Sequence, residues 1–119
     1  MSKITIYHNP RCSKSRQTLA LLEEHKVTPE IVLYLETPPD AKQLKTLISK
    51  LGIEPRQLLR TSETEYKQMN LADKSLGDAA IIEAMVKAPI LIQRPIVVKG
   101  DKAVLGRPPE NALELISSS

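Results

Sequence analysis

Residues 4–16 read I-T-I-Y-H-N-P-R-C-S-K-S-R and contain the only cysteine of the 119-residue chain. Ile4, Thr5, Ile6 and Tyr7 form a short apolar, β-branched run, and Asn9-Pro10 stops it; that is the pattern of a strand ended by a turn. From Ser13 the period changes. Leu19, Leu22 and Val27, with Ala20 and Leu21 beside them, recur at helical spacing among Lys14, Arg16, Glu23, Glu24 and Lys26. Strand, tight turn and helix make the first unit, and Cys12 falls at the entrance of the helix.

Outward from this unit, Ile31 to Leu35 is a continuous apolar run, expected as a second strand parallel to the first and buried on both faces. Thr37-Pro38-Pro39-Asp40 supplies a loop and a helix N-cap, and Leu44, Leu47, Ile48 and Leu51 mark a helix over about 40–51 that Gly52 stops. Residues 55–87 are helical in short pieces: a turn at Arg56–Leu59, a helix at Glu63–Asn70 and another at Asp78–Ala88, ended before Pro89. Pro95–Lys99 and Ala103–Leu105 are two short strands joined by a Gly100-Asp101 hairpin turn. Gly106-Arg107-Pro108-Pro109 then leads to a last helix from Glu110 to about Ile116, with Ala112, Leu113 and Ile116 on one face.

The order is β-α-β, helices, β-β-α, an α/β chain expected to form a single domain over residues 1–119 with a helical insertion at about 38–88. The hydrophobic fraction of 41% and charged fraction of 26%, without low-complexity runs, belong to an ordinary globular protein. Disorder is expected only in the Ser117-Ser118-Ser119 tail. There is no signal-peptide pattern and no run long enough to span a bilayer, so a cytoplasmic protein without membrane contact is expected. A net charge of +3 from interspersed residues, with three tyrosines and no Trp or Phe, speaks against nucleic-acid binding. A local basic pocket for a small anion fits better.

One cysteine cannot close an internal disulfide, so any redox role needs a second thiol from outside. In a parallel βαβ unit the loop after the first strand lies at the carboxyl edge of the sheet, where ligands bind. Free N–H groups of Ser13, Lys14, Ser15 and Arg16 would face the Cys12 sulfur and form an anion site. A helix end alone contributes at most about 2 kcal/mol, so nearby arginines are needed to ionise the thiol fully. Cys12 could instead be a small apolar residue, but its cationic neighbours and the preceding Pro turn favour a reactive thiol. Cys12-x-x-Ser15 is the single-thiol form of the C-x-x-C redox motif. His8 could orient or ionise the thiol, or simply close its strand; His25 reads as solvated. Two histidines and one cysteine do not make a metal cluster, and no metal or bound cofactor is expected.

Arg60 in R-Q-L-L-R-T, Arg94 in I-L-I-Q-R-P-I-V-V and Arg107 in L-G-R-P-P-E complete the picture. With them, and with Y-H-N-P-R-C-S-K-S-R and L-Y-L-E-T-P-P in order, the chain resembles the glutaredoxin-dependent arsenate reductase family, in the form of a short chromosomal subgroup with Ser13-Lys14 where many members carry Gly-Thr. The resemblance implies a thioredoxin/glutaredoxin-like fold with a helical insertion between its two halves. It implies Cys12 as nucleophile, Arg60, Arg94 and Arg107 as oxyanion ligands, and Pro95 as a cis proline facing the cysteine. His8 and Ser15 would be supporting residues. The implied reaction is attack of Cys12 on arsenate, reduction of arsenic(V) to arsenic(III) with glutathione as reductant, and release of the glutathione by glutaredoxin. Two rival readings are a glutathione-dependent thiol oxidoreductase of the single-cysteine glutaredoxin type and a non-enzymatic regulator of the Spx kind. Three arginines over one sulfur disfavour the first, and Ser15 in place of a second cysteine removes the disulfide switch of the second.

Overall fold

The computed structural model describes residues 3–117, without the side chain of residue 117. The disorder expected for the terminal serines falls, at Ser118 and Ser119, outside the described residues. The chain divides into two compact units, one running to Thr37 and resuming at Arg94, the other Pro38–Gln93.

The first unit holds a four-stranded sheet in the order β2-β1-β3-β4, from β1 (Ile4–His8), β2 (Glu30–Leu33), β3 (Ile96–Lys99) and β4 (Lys102–Leu105). β1 and β2 are parallel, joined through α1 (Ser13–Glu24), as the sequence order requires. β3 pairs antiparallel with both β1 and β4, with Ile6 opposite Val97 and Val97 opposite Val104. Lys99 pairs with Lys102, so Gly100 and Asp101 alone form the loop, and Gly100 takes the positive φ of 60° that a tight hairpin asks of its first central residue. β-α-β followed by β-β-α, on one mixed sheet with β1 inside, is the thioredoxin-like arrangement.

Ile6 from β1, Leu22 from α1, Val97 from β3, and Ala112 and Leu115 from the C-terminal segment form the core of this unit. That segment is a 3-10 turn, Pro109–Ala112, running into α5 (Leu113–Ser117). The tighter winding of the first turn changes the phase. Leu115, not the expected Leu113, therefore joins Ala112 in the core, with Ile116 packed at its side. β2 also departs from expectation. It ends at Leu33 and lies at the sheet edge, so Ile31 is 47% exposed and Leu35, already in a turn, is 39% exposed. An apolar run belongs to a doubly buried strand only when neighbours flank it on both sides, and β2 has one.

The second unit contains α2 (Ala41–Leu51), α3 (Thr64–Gln68) and α4 (Asp78–Lys87), with 3-10 turns at Pro55–Leu58 and Pro89–Leu91. Asp40 caps α2 by accepting from the Gln43 amide at 2.8 Å while Gln43 returns a bond to the Asp40 amide, and Gly52 ends the helix at φ 68°. Leu44, Leu47, Ile48, Ile81, Ile82 and Met85 are buried. Arg56 ties this unit internally, donating to the carbonyls of Leu71, Asp73 and Leu76. Leu59 bridges antiparallel to Ile92. Among the described residues no helix is long and apolar enough to cross a membrane.

Candidate active site

β1 delivers the chain to the carboxyl edge of the sheet, and Asn9 shapes the turn that follows. Asn9 is buried; its carbonyl accepts from the Cys12 amide at 3.0 Å and its Oδ1 from the Arg11 amide at 3.0 Å. The side-chain bond favours Asn before Pro10, and the backbone bond brings residue 12 to the mouth of α1. Cys12 is the N-cap, in extended backbone at φ −92° and ψ 123°. Its thiol stands in the place of a capping oxygen, toward the Ser15 and Lys14 amides of the first turn.

Burial alone would push the Cys12 thiol up from its ordinary 9.0; the Ser15 amide, the Arg94 side chain and the Lys14 amide outweigh it and bring the pKa below that value. Two of the four expected amides therefore act on the sulfur. The Arg16 amide is already bonded to the Cys12 carbonyl at 3.0 Å, the first turn of the helix. Arg16 places its guanidinium on the Pro10 carbonyl at 2.8 Å, while Arg11 is exposed.

Arg94 and Arg107 come from the other half of the first unit. Arg94 precedes β3 through a cis peptide to Pro95, and only 6% of its surface is exposed. Arg107 follows β4 after Gly106, and a second cis peptide, which no local pattern announces, joins it to Pro108. Its Nη1 donates to the Arg94 carbonyl at 3.1 Å and reaches the Cys12 sulfur at 4.0 Å. A thiol, two helix amides and two guanidiniums thus converge. Arg60 lies in the second unit, where its amide donates to the Leu91 carbonyl at 2.7 Å and its Nε to Glu63 at 3.0 Å.

His8 does not address the sulfur. Its Nδ1 shares a 2.6 Å hydrogen bond with the Oγ of Ser15, which also accepts from the Asn9 amide at 3.0 Å. Burial first, and the Arg16 charge second, lower the His8 pKa and so favour the neutral ring. His8 and Ser15 are both buried, and their pair ties the end of β1 to the first turn of α1, whose Ser15 amide faces the sulfur. His25 is exposed, with its Nδ1 3.0 Å from the Leu21 carbonyl at the helix end. A cleft of about 320 Å³ opens beside the loop, lined by His8, Asn9, Pro10, Arg11, Leu33, Leu35 and Glu36. Sequence reasoning passed over Thr18 and Gly106, which join α1 to the Arg107 loop from positions 88 residues apart. A lone threonine inside a helix carries no local sign of such a bond.

This arrangement can hold a thiolate and present it to a small oxyanion. Comparison with known proteins agrees in kind. The chain is 56% identical to YfgD of Escherichia coli strain K12 over 96% of its own length and 97% of that protein's. It is 47% identical to the arsenate reductase of Haemophilus influenzae, over 95% and 98% of the two chains. The solved structure of the arsenate reductase from Vibrio cholerae superposes with a TM-score of 0.94 at 50% identity, covering 96% of this chain and 98% of that one. The ArsC family pattern matches residues 7–115. That span takes in the thiol, the amides facing it and both arginines beside it, and it makes this chain a member of the ArsC family.

Proposed function

We propose that this chain is an arsenate reductase in which Cys12 is the nucleophile and Arg94 and Arg107 bind the oxyanion. The observation that carries the reading is the seat of Cys12: a pKa held down by the Ser15 and Lys14 amides and by Arg94, with the Arg107 guanidinium 4.0 Å from the sulfur. A thiolate is the form that attacks, and guanidinium forks match the oxygen edges of a tetrahedral oxyanion. The names of close relatives support the same substrate.

Attack of the Cys12 thiolate on arsenic(V) forms an S–As bond and expels one oxygen of arsenate as water. Reduction needs two electrons. A glutathione thiolate bonding to the Cys12 sulfur breaks the S–As bond, whose electron pair stays on arsenic as arsenic(III). Cys12 is left in a mixed disulfide with glutathione, which a glutaredoxin thiolate opens by exchange. With a single cysteine the chain has no internal thiol for either step.

The test is arsenite production by freshly reduced protein with glutathione and glutaredoxin. Turnover by the wild type and none by Cys12→Ser is expected; no turnover by the wild type would refute the reading.

A further inference from the structure

Thr18 joins two distant stretches of the first unit. It is fully buried in α1, and its Oγ lies 2.8 Å from the Lys14 carbonyl and 3.2 Å from the Gly106 carbonyl. The one hydroxyl proton is shared between them: the nearer carbonyl takes the usual back-bond of a helical threonine, and the farther one belongs to the segment that follows β4. Gly106 is held from its other side as well, its amide donating to the Pro95 carbonyl at 2.9 Å.

No side chain fits there. A Cβ on Gly106 would stand 2.5 Å from the Thr18 Oγ and 2.7 Å from the Pro95 Cγ. Neither neighbour can swing away, since one is a buried β-branched residue and the other a closed ring. The next residue is Arg107, whose guanidinium rests on the Arg94 carbonyl and reaches toward Cys12.

We propose that Thr18 and Gly106 are positioning residues for oxyanion binding: they clamp the backbone from which Arg107 reaches and thereby set where its guanidinium stands over Cys12. The inference rests on the reading of Cys12 and Arg107 as an oxyanion site. It separates two effects that plain packing would not. The groups that lower the Cys12 pKa are Ser15, Arg94 and Lys14. Loosening Gly106 therefore weakens oxyanion binding and leaves the ionisation of Cys12 in place. A purely structural Thr18 would lower the unfolding temperature and change neither.

Because the chain has one cysteine, alkylation by iodoacetamide reports on Cys12 alone and requires no turnover. Its rate is measured against pH and against arsenate concentration for the wild type, Thr18→Val, which keeps the shape without the hydroxyl, Thr18→Ser, which restores it, and Gly106→Ala. The arsenate concentration for half-protection should rise about fivefold in Thr18→Val, as for one lost hydrogen bond, and stay within about twofold of wild type in Thr18→Ser. The pH midpoint should be unchanged in both. Gly106→Ala should bind arsenate more weakly than Thr18→Val. Half-protection in Thr18→Val equal to wild type, equal impairment in Thr18→Ser, or a displaced pH midpoint would each overturn the clamp. A wild type that arsenate does not protect would overturn the oxyanion reading, and the clamp with it.

Discussion

Replacing Arg107 tests whether anion binding and thiolate formation are carried by different arginines. In the free site the Arg107 guanidinium makes one ordinary hydrogen bond, to the Arg94 carbonyl at 3.1 Å, and a long contact of 4.0 Å to the Cys12 sulfur. Its side chain is exposed, so Arg107→Ala should cost the fold only about 0.5–1 kcal/mol, the lower end for a single hydrogen bond. A bound oxyanion would engage the same group through a charge-assisted bond worth about 1.5–3 kcal/mol, or roughly 10- to 150-fold in affinity. Solvent screening favours the lower figure. The expected result is an arsenate KM raised about tenfold or more, a small change in urea midpoint, and an unmoved pH profile of Cys12 alkylation. Arg107→Lys should recover only part of the affinity, because an ammonium keeps the charge and loses the fork. An unchanged KM in Arg107→Ala, or a loss explained by unfolding alone, would refute the assignment.

Arg94→Ala should act on the thiol itself: the midpoint of the alkylation rate against pH moves to the alkaline side, and a stationary midpoint would count against the buried guanidinium as its partner. Since the folded Cys12 pKa lies below 9.0, its contribution to stability is complete above about pH 9 and is lost as pH falls through the folded pKa. Urea unfolding of wild type minus Cys12→Ser should therefore show a gap that widens from neutral pH toward 9; a constant gap contradicts the lowered pKa. His8 shows the same sign of dependence in a lower pH window. Its folded pKa lies below 6.5, so the unfolded chain takes up the proton first, and the wild type should lose stability relative to His8→Asn as pH drops through 6.5.

What the sequence discloses here is local, and what it conceals is contact at a distance. The strand, turn and helix around Cys12 are legible because β-branched alternation, an Asn-Pro stop and helical periodicity lie within two dozen residues of one another. The Asp40 box, the Gly52 stop and the Gly100-Asp101 hairpin are legible for the same reason. β2 misleads because the exposure of Ile31 depends on which strands flank it, and that depends on β3 pairing with β1 from ninety residues away. The roles of Arg94 and Arg107 were open only to family resemblance. Nothing in I-Q-R-P or L-G-R-P reveals that both guanidiniums arrive at one sulfur. His8 shows the limit within a single motif: it is four residues from Cys12, yet its ring is turned to Ser15.

The two arginines differ in burial, and the difference bears on how one site could serve successive steps. Arg94 is 6% exposed, and a guanidinium removed from water is costly unless an anion or acceptor meets it. Its electrostatic hold on the Cys12 sulfur partly offsets that cost and is strongest while the sulfur is a thiolate. In the proposed reaction the sulfur would lose its charge on bonding to arsenic, and the arsenate oxygens would offer the same cation new anionic partners. Arg107, exposed and lightly held, has little desolvation left to suffer when it moves onto an oxyanion or away from one. In the proposed reaction a buried cation beside the sulfur and an exposed one that can release the oxyanion would together favour formation of the S–As bond without trapping the arsenite that leaves.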